Sequence, residues 1–325
     1  MKQPPKISEI RNWLIAKNPL GAFRRKKFII KDIDPKPWSG HFNYLIDAGE
    51  KKFVLRFKGP EWGEPTRGVI DEFKVLKKVE RYNVGPKVYY LDTDFFGEPM
   101  ILEECLDGRI FTSFPFSRQD KIFSMAARFI AKINKIPIDK KSFPFRKPAT
   151  SYQVHKESWR KRLKIILRDR RTKKWGQKVM KLLPRANKML DRFESLLKYV
   201  LKRHGPAFIF ESAHAGHLMK VRQNLRFLNW EQVSYGDPAY TLSVFLASIS
   251  RHQDFERIKD KMIKAYLEKN PVADFRALIE QRLSEREVSN LIWILWAYVQ
   301  KNDTRSVEKA TDVLERFKRV RKILK

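Results

Sequence analysis

The polar residues between positions 211 and 237 are the part of this sequence whose types and spacing suit chemistry. Glu211, His214 and His217 lie within seven residues, and Glu231 and Asp237 follow after a short interval. Histidine titrates near neutral pH and can accept a proton from a substrate hydroxyl. Carboxylate oxygens are ligands that Mg²⁺ prefers. With His214 as the base and Glu231 and Asp237 on a metal ion, this set would suit metal-assisted deprotonation of a substrate hydroxyl.

Short β-type segments must position a second set of polar residues near the N-terminal end. Residues 42–47 and 52–57 predict two strands joined by a turn at 47–50, and residues 87–91 and 99–104 predict two more. Between these pairs, residues 69–82 carry apolar side chains at helical spacing. Arg56 lies in one predicted strand and Glu72 lies in the predicted helix.

After Gly108 the pattern becomes helical, at residues 117–135, 155–203 and 241 to the end, with short strands and turns over 207–229. The order predicts an α+β, bilobal protein-kinase-like fold, with a small β-sheet N-lobe and a larger, mainly helical C-lobe. The predicted division is a basic N-terminal segment at 1–32, an N-lobe at 33–104 and a helical C-lobe at 105–325. The C-lobe includes a basic insertion at 155–203 and a basic C-terminal helix.

Several short motifs, in order, resemble those of the aminoglycoside/choline-kinase type phosphotransferases. Their segments are WSGHFNY (38–44), FVLR (53–56), PMILEECLDG (99–108), IFESAHAGHLM (209–219), LNWE (228–231) and YGDPAY (235–240). The last two resemble the family's "IDWE…GDP" segment, and IFESAHAGHLM aligns without gaps to its "HGDLHPGN" catalytic loop. The resemblance runs from about residue 38 to 250.

The resemblance implies a nucleotide-binding set in the N-lobe. Gly40 and Asn43 fall in the loop that would cover the phosphates, where small residues let backbone amides approach. Arg56 falls where protein kinases carry the phosphate-pairing Lys, and Glu72 falls where a helix glutamate orients that residue. Glu103 falls in the hinge strand whose backbone would meet an adenine.

The positions that resemble the catalytic ones are replaced. Ser212 stands for the aspartate base, and its hydroxyl does not accept a proton at neutral pH. His217 stands for a magnesium-binding asparagine, and Asn229 for the metal-binding aspartate, whose charge it lacks. Thr241 replaces a further aspartate. Four of the local residues that resemble the family pattern are retained: His214, Gly216, Glu231 and Asp237.

Loss of the base and both metal ligands removes positioning and charge neutralisation, on which phosphoryl transfer depends. We therefore expect a catalytically degenerate, pseudokinase-type protein with no catalytic residues, metal or cofactor. The alternative is an atypical phosphotransferase that uses ATP and Mg²⁺ with His214, Glu231 and Asp237, and acts on an acidic substrate such as RNA, an anionic lipid or a glycan.

The chain is strongly basic, with 69 Lys and Arg against 37 Asp and Glu and a formal net charge of +32 over 325 residues. Because such an excess repels itself, it predicts a polyanionic partner. The 42% hydrophobic content excludes a disordered chain. The single cysteine, Cys105, excludes an internal disulfide and suits the cytoplasm, where we place the protein.

Residues 156–188 concentrate the charge, with 14 Lys and Arg against two acids. Cations interleaved with tryptophan suit phosphate contacts and base stacking, and the absence of base-reading DNA motifs favours structured RNA, as on a ribosome or tRNA. Trp159, Leu163, Ile166 and Leu167 also have the spacing of a buried helix face. The predicted RNA-binding residues are Arg160, Lys161, Lys164, Arg168, Arg170, Arg171, Lys173, Lys174, Trp175, Arg24, Arg25, Arg319, Arg321 and Lys322.

Aminoglycosides are cations, so this basic face should repel them. An anionic membrane surface is the remaining competitor for the basic face, although no stretch reaches the length of a membrane span. The oligomeric state is not predicted.

Overall fold

The structure is a computed structural model that describes residues 4–21, 23, 27–33, 41–59, 68–114, 116–301 and 310–324. Its contacts divide the chain into two compact units. The first comprises Met1–Gln119, Ile138–Phe145 and Ala215–Val233, and the second comprises Asp120–Pro137, Arg146–His214 and Ser234–Lys325.

An antiparallel five-stranded sheet with the order β1-β2-β3-β5-β4 forms the N-terminal part of the first unit. Its strands are β1 (Ile29–Asp32), β2 (His41–Asp47), β3 (Lys52–Lys58), β4 (Val88–Phe95) and β5 (Glu98–Glu104). Arg56 pairs with Asn43 on β2 and with Ile101 on β5, while Glu103 pairs with Val54. Because side chains alternate along a strand, Asn43, Arg56 and Glu103 lie on one face of the sheet.

Two helices cover this sheet. Helix α1 (Ile7–Lys17) places Ile10 and Leu14 in the core with the opposite sheet face, which includes Leu55. Helix α2 (Gly68–Val79) packs against β3, β4 and β5 and buries Glu72. The four strands and the helix predicted between residues 42 and 104 are therefore confirmed, whereas the sequence did not predict α1 and β1.

A second small sheet of the first unit has the order β6-β8-β9, with β6 (Arg109–Ile110), β8 (Leu218–Val221) and β9 (Asn224–Phe227). Gly108 lies so close to β8 that a Cβ atom would stand 2.5 Å from the carbonyl oxygen of Lys220. The close approach of the backbone at residue 108 to β8 therefore requires glycine.

The second unit is mainly helical. Its elements are α4 (Gln153–Arg168), α5 (Lys173–His204), α6 (Tyr240–Ser248), α7 (Phe255–Leu267), α8 (Phe275–Lys301), α9 (Ala310–Ile323) and β7 (Ala207–Phe210), together with most of α3 (Phe116–Asn134) and of β10 (Val233–Gly236), whose first residues belong to the first unit. Helices α4, α5, α6 and α9 all pack against α8. Trp159 of α4 is buried there, and its Nε1 donates to the Ser289 hydroxyl at 2.8 Å.

The predicted order, with a sheet at the N-terminal end and helices after it, is confirmed. None of the helices in the described ranges combines the length and the hydropathy that a membrane span requires.

Candidate functional site

Arg56 is the centre of a polar cluster in the first unit. The side chain stands on the α2 side of β3 and is largely buried, with 11% of its surface exposed. Its Nε donates to Glu72 at 2.7 Å, and its Nη1 donates to the amide oxygen of Asn43 at 3.3 Å. Its Nη2 donates to the amide oxygen of Asn229 at 2.5 Å and lies 3.0 Å from the His41 Nδ1. The structure thus brings together Asn43, Arg56, Glu72 and Asn229, which sequence analysis named separately.

Glu72 fixes the orientation of Arg56. One carboxylate oxygen accepts from Arg56, and the other accepts from the backbone N–H of Trp230 at 2.8 Å. The side chain is only 1% exposed, so the ion pair is shielded from water. Glu72 therefore ties α2 both to the sheet and to the segment that follows β9.

Asn229 adopts a left-handed backbone conformation, with φ of 66°. Asparagine tolerates this region better than most residues, because its short side chain bonds locally. Asn229 lies two residues after the end of β9, and its side chain reaches the Arg56 guanidinium. Sequence analysis missed His41, whose Nε2 lies 3.3 Å from the buried carboxylate of Glu231.

The charges in this cluster determine two pKa values. Burial lowers the pKa of Arg56, but the carboxylates of Glu72, Glu103 and Glu231 more than offset that effect and hold it above its ordinary value. Burial, with the nearby Glu72 carboxylate, raises the pKa of Glu103 to about 8 although Arg56 opposes the shift. Glu103 therefore remains protonated at neutral pH, and Arg56 keeps its charge.

Replacing Glu103 by Gln should abolish a fall in stability with pH. Between the ordinary pKa of 4.5 and about 8, the folded chain keeps a proton on Glu103 that the unfolded chain has released, so rising pH favours unfolding. We expect Glu103→Gln to raise the free energy of unfolding by on the order of 3 kcal/mol at pH 8 and by little at pH 4. Denaturant titrations across this pH range measure the difference. The matched control, Glu80→Gln, should leave the slope intact, and a parent-like slope in Glu103→Gln would contradict the assignment.

Asp237 belongs to the second unit and is fully buried there. One carboxylate oxygen accepts from the backbone N–H of Ala239 at 2.8 Å, and the other accepts from Arg282 Nε at 2.5 Å. Both members of this ion pair are 0% exposed. The Arg282 guanidinium also stacks over the ring of Tyr152 at 4.2 Å. Sequence analysis missed Arg282 and Tyr152.

The remaining positions of the sequence-derived catalytic set are divided between the two units. Ser212 is buried in the second unit, and its carbonyl accepts from the backbone N–H of His214, whose side chain is exposed. Glu211 lies 3.6 Å from Arg146 in the same unit. His217 is half-buried in the first unit, where its carbonyl accepts from the backbone N–H of Leu228. Among the described residues, no three His, Cys, Asp or Glu side chains are placed to hold a metal ion.

The basic insertion presents a row of exposed cations on α4 and α5. We define the basic face as the exposed side chains of Arg160, Lys161, Lys164, Arg168, Arg170, Lys173 and Lys174. None of these seven forms an ion pair within the described part of the chain. The basic face therefore carries positive charge that the described structure does not neutralise.

Two other residues predicted to bind RNA have partners within the second unit. Arg171 donates to both carboxylate oxygens of Asp169 and stacks over Tyr298 at 4.8 Å. Trp175 is half-buried, and its ring meets Phe317 of α9 edge-on at 5.8 Å. Both side chains are therefore less available to a ligand than the basic face.

The predicted RNA-binding residues near the C-terminus lie on α9, within the described part of the chain. Arg319 shares the carboxylate of Glu287 with Arg316, whereas Arg321 and Lys322 are exposed and form no ion pair among the described residues. Gly40, Arg24 and Arg25, which sequence analysis also named, lie outside the described residues.

Comparison with known families accounts for the order of these elements. A sequence profile of the phosphotransferase enzyme family, abbreviated APH, matches residues 35–279. This chain belongs to that family. The resemblance that the short motifs indicated is thereby confirmed, and so is the kinase-like fold of this phosphotransferase-family protein. No curated protein sequence matches the chain significantly.

Solved structures share the fold over nearly the whole chain. The choline kinase of Cryptosporidium parvum Iowa II has a TM-score of 0.65 and 14% identity, covering 95% of this chain and 96% of its own. A spectinomycin phosphotransferase bound to ADP and spectinomycin has a TM-score of 0.67 and 12% identity, covering 99% and 98%. An ADP-bound aminoglycoside phosphotransferase has a TM-score of 0.64 and 14% identity, covering 98% and 99%. At such identities the likeness shows the fold alone.

Proposed function

We propose that this phosphotransferase-family chain is a catalytically degenerate, pseudokinase-type protein that binds structured RNA. The observation that carries the proposal is the basic face, whose seven cations have no ion-pair partner in the described structure. The hydrogen bonds that already engage the Arg56 guanidinium support the absence of catalysis.

The replaced residues remove the chemistry that the family fold would otherwise supply. Ser212 has no carboxylate to accept a proton, and Asn229 and His217 offer Mg²⁺ no negative charge. Phosphoryl transfer relies on the metal and on positioning more than on any other group. This substitution pattern supports a protein without phosphotransferase activity.

The hydrogen bonds of Arg56 support the same conclusion. Its Nε is engaged by Glu72, its Nη1 by Asn43, and its Nη2 by Asn229 and His41. An arginine that binds phosphate presents two parallel N–H groups to it. Binding a nucleotide phosphate here would require Arg56 to give up buried hydrogen bonds, each costing about 1–3 kcal/mol.

Asp237 is poorly suited to hold a catalytic metal. The carboxylate is fully buried, and its two oxygens already accept from Arg282 and from the Ala239 backbone. Moving it onto a metal would leave the Arg282 guanidinium charged and unpaired in the core. This geometry weighs against the atypical phosphotransferase.

The position of the basic face favours a functional role for its charge. Lys173 and Lys174 occupy the first turn of α5, which contains no acidic residue. Cations at a helix N-terminus oppose the helix dipole, so this placement costs stability without an anionic partner. Arg160, Lys164 and Arg168 recur every four residues along α4 and share one side of it.

Structured RNA is the polyanion that we propose for this face, as part of a ribosome or as tRNA in the cytoplasm. A folded RNA presents a dense array of phosphates and is recognised mainly through its shape and backbone. The competing polyanion is an anionic membrane surface. Binding measurements with RNA and with anionic vesicles at matched salt distinguish the two.

Adding Mg²⁺ at a fixed concentration of ATP should leave the melting temperature of the purified chain unchanged. A nucleotide present at 100 times its Kd would stabilise the folded state by about 2.7 kcal/mol, which a thermal-shift titration resolves. The expected absence of a shift follows from the engaged Arg56 and from the replaced residues Ser212, His217 and Asn229.

The same titration on a Ser212→Asp, His217→Asn, Asn229→Asp variant separates the two causes. Mg²⁺-dependent nucleotide binding that appears only in this variant would attribute the loss to the three replaced residues. A Mg²⁺-dependent shift in the parent, with phosphate transfer that His214→Ala abolishes, would instead support an active enzyme with an acidic substrate.

A further inference from the structure

A pocket of about 420 Å³ lies within the second unit, between the C-terminal end of α6, helix α8 and helix α9. This volume falls in the range of about 300–1,000 Å³ that small-molecule sites occupy. Val244, Ala247 and Ile294 contribute apolar side chains to its lining. The other residues that line the pocket are basic, aromatic or capable of hydrogen bonding.

Arg286 is the best-positioned cation in this pocket. The guanidinium stacks over the ring of Tyr240 at 4.7 Å, and its Nε donates to the Ser243 hydroxyl at 3.4 Å. In the described part of the chain, no carboxylate forms an ion pair with it. The neighbouring carboxylate of Glu285 is instead engaged by His155 and Ser289. Arg286 is thus held in place while its terminal nitrogens remain available to a ligand.

Other basic side chains add to the positive charge of the pocket. Arg251, Arg316 and His214 line it, and Arg316 also lies 3.6 Å from Glu287. None of the described residues that line the pocket is Asp or Glu. A pocket whose described lining includes cations and no carboxylate favours an anion, and arginine suits the oxygens of a phosphate.

The pocket also offers groups that suit a planar ring. Trp293, one turn beyond Asn290 on α8, lines the pocket and is 43% exposed. A partly exposed indole provides a stacking surface for a base. The half-buried amide of Asn290 presents both a donor and an acceptor between Arg286 and Trp293.

We propose that this pocket binds one nucleotide, with its phosphate at Arg286 and its base against Trp293. The proposal goes beyond RNA binding by the basic face, because no residue of that face lines the pocket. The nucleotide is either a free nucleoside monophosphate or a single unstacked nucleotide of an RNA strand, since both present the same phosphate and base.

Binding of AMP, followed by calorimetry at low salt, tests the proposal. Arg286→Met should weaken the affinity for AMP roughly 10- to 100-fold, because it removes a charge-assisted hydrogen bond to the phosphate. Trp293→Ala should weaken it by about 10-fold through lost stacking, and because Trp293 is 43% exposed this change tests the site without removing a core side chain. The matched control is Arg276→Met, which changes an exposed arginine on the same helix.

Comparing AMP with ligands that lack its phosphate or its base shows which part of the nucleotide the pocket recognises. AMP should bind more tightly than adenosine, ribose 5-phosphate or inorganic phosphate. The proposal would be overturned if AMP bound no more tightly than adenosine or than inorganic phosphate. It would also be overturned if both Arg286→Met and Trp293→Ala bound AMP with the affinity of the parent. A single-stranded oligonucleotide that displaces AMP would support the site with RNA as the source, whereas AMP binding without such displacement would support it with a free nucleotide. A variant of the basic face that no longer binds RNA should still bind AMP with the affinity of the parent. Failure of one proposal therefore leaves the other intact.

Discussion

Replacing Arg160, Lys161, Lys164 and Arg168 by Gln should weaken binding to structured RNA by roughly a thousandfold at 0.1 M salt. These four exposed residues lie along α4 and have no ion-pair partner among the described residues. Each phosphate contact releases condensed counterions, so its loss also reduces the salt dependence. The slope of log K against log salt should fall by about three in magnitude. Filter binding over a range of salt concentrations measures both quantities.

The matched control removes the same charge elsewhere in the second unit. Arg257, Lys264, Lys269 and Arg276, all exposed and outside the basic face, are replaced by Gln. This control should retain most of the affinity and slope of the parent. A control as weak as the α4 variant would show that net charge alone drives binding. An α4 variant with parental affinity would contradict the site, and binding to anionic vesicles but not to RNA would favour a membrane partner.

Replacing Arg282 by Met should destabilise the protein by about 3–5 kcal/mol, because it leaves the buried Asp237 carboxylate without its partner. Both side chains are fully buried, so no water replaces the lost hydrogen bond. The stacking of the guanidinium on Tyr152 is lost as well. Chemical denaturation with a probe of the second unit measures the change.

The control for this prediction is Arg276→Met on the same helix. Arg276 pairs with Asp260 at the surface, where such pairs contribute about 0–1 kcal/mol. Adding Asp237→Asn to Arg282→Met should recover part of the loss, because the unpaired charge is then removed. Equal effects of Arg282→Met and Arg276→Met would contradict a structural role for the buried pair.

The sequence predicts the strands around Arg56 because their apolar and polar residues alternate. Along β3, Phe53, Leu55 and Phe57 are buried while the residues between them are less so. The same reasoning misses α1 and β1, in which few side chains reach the core. Helix α1 buries only Ile10 and Leu14 among its described residues, so its hydrophobic period is weak.

Asn43, Arg56, Glu72 and Asn229 could be named from the sequence, but the hydrogen bonds between them could not. Pairing of Asn43 with Arg56 depends on the register between β2 and β3, which no local pattern specifies. The contact with Asn229 depends on a left-handed backbone more than 170 residues along the chain. His41 joins the cluster through the same register.

Arg282 shows a signal that sequence analysis passed over. Buried residues recur along α8 at Phe275, Leu278 and Ile279, and the next positions on that stripe are Arg282 and Glu285. Charged residues in the apolar stripe of a helix indicate a buried ion pair, whereas a composition count treats them as surface charge. For the basic insertion, counting Lys and Arg against acidic residues identified the exposed cations. It could not show that Trp175 packs against Phe317.

Purification from native lysate at low salt, with quantification of the RNA that remains bound, tests the central claim most directly. The parent chain and the Arg257, Lys264, Lys269, Arg276 control should retain comparable amounts of structured RNA. The variant with Gln at 160, 161, 164 and 168 should lose most of it, with its fold unchanged by circular dichroism. A parent that carries no RNA, or an α4 variant that carries as much as the parent, would contradict the account.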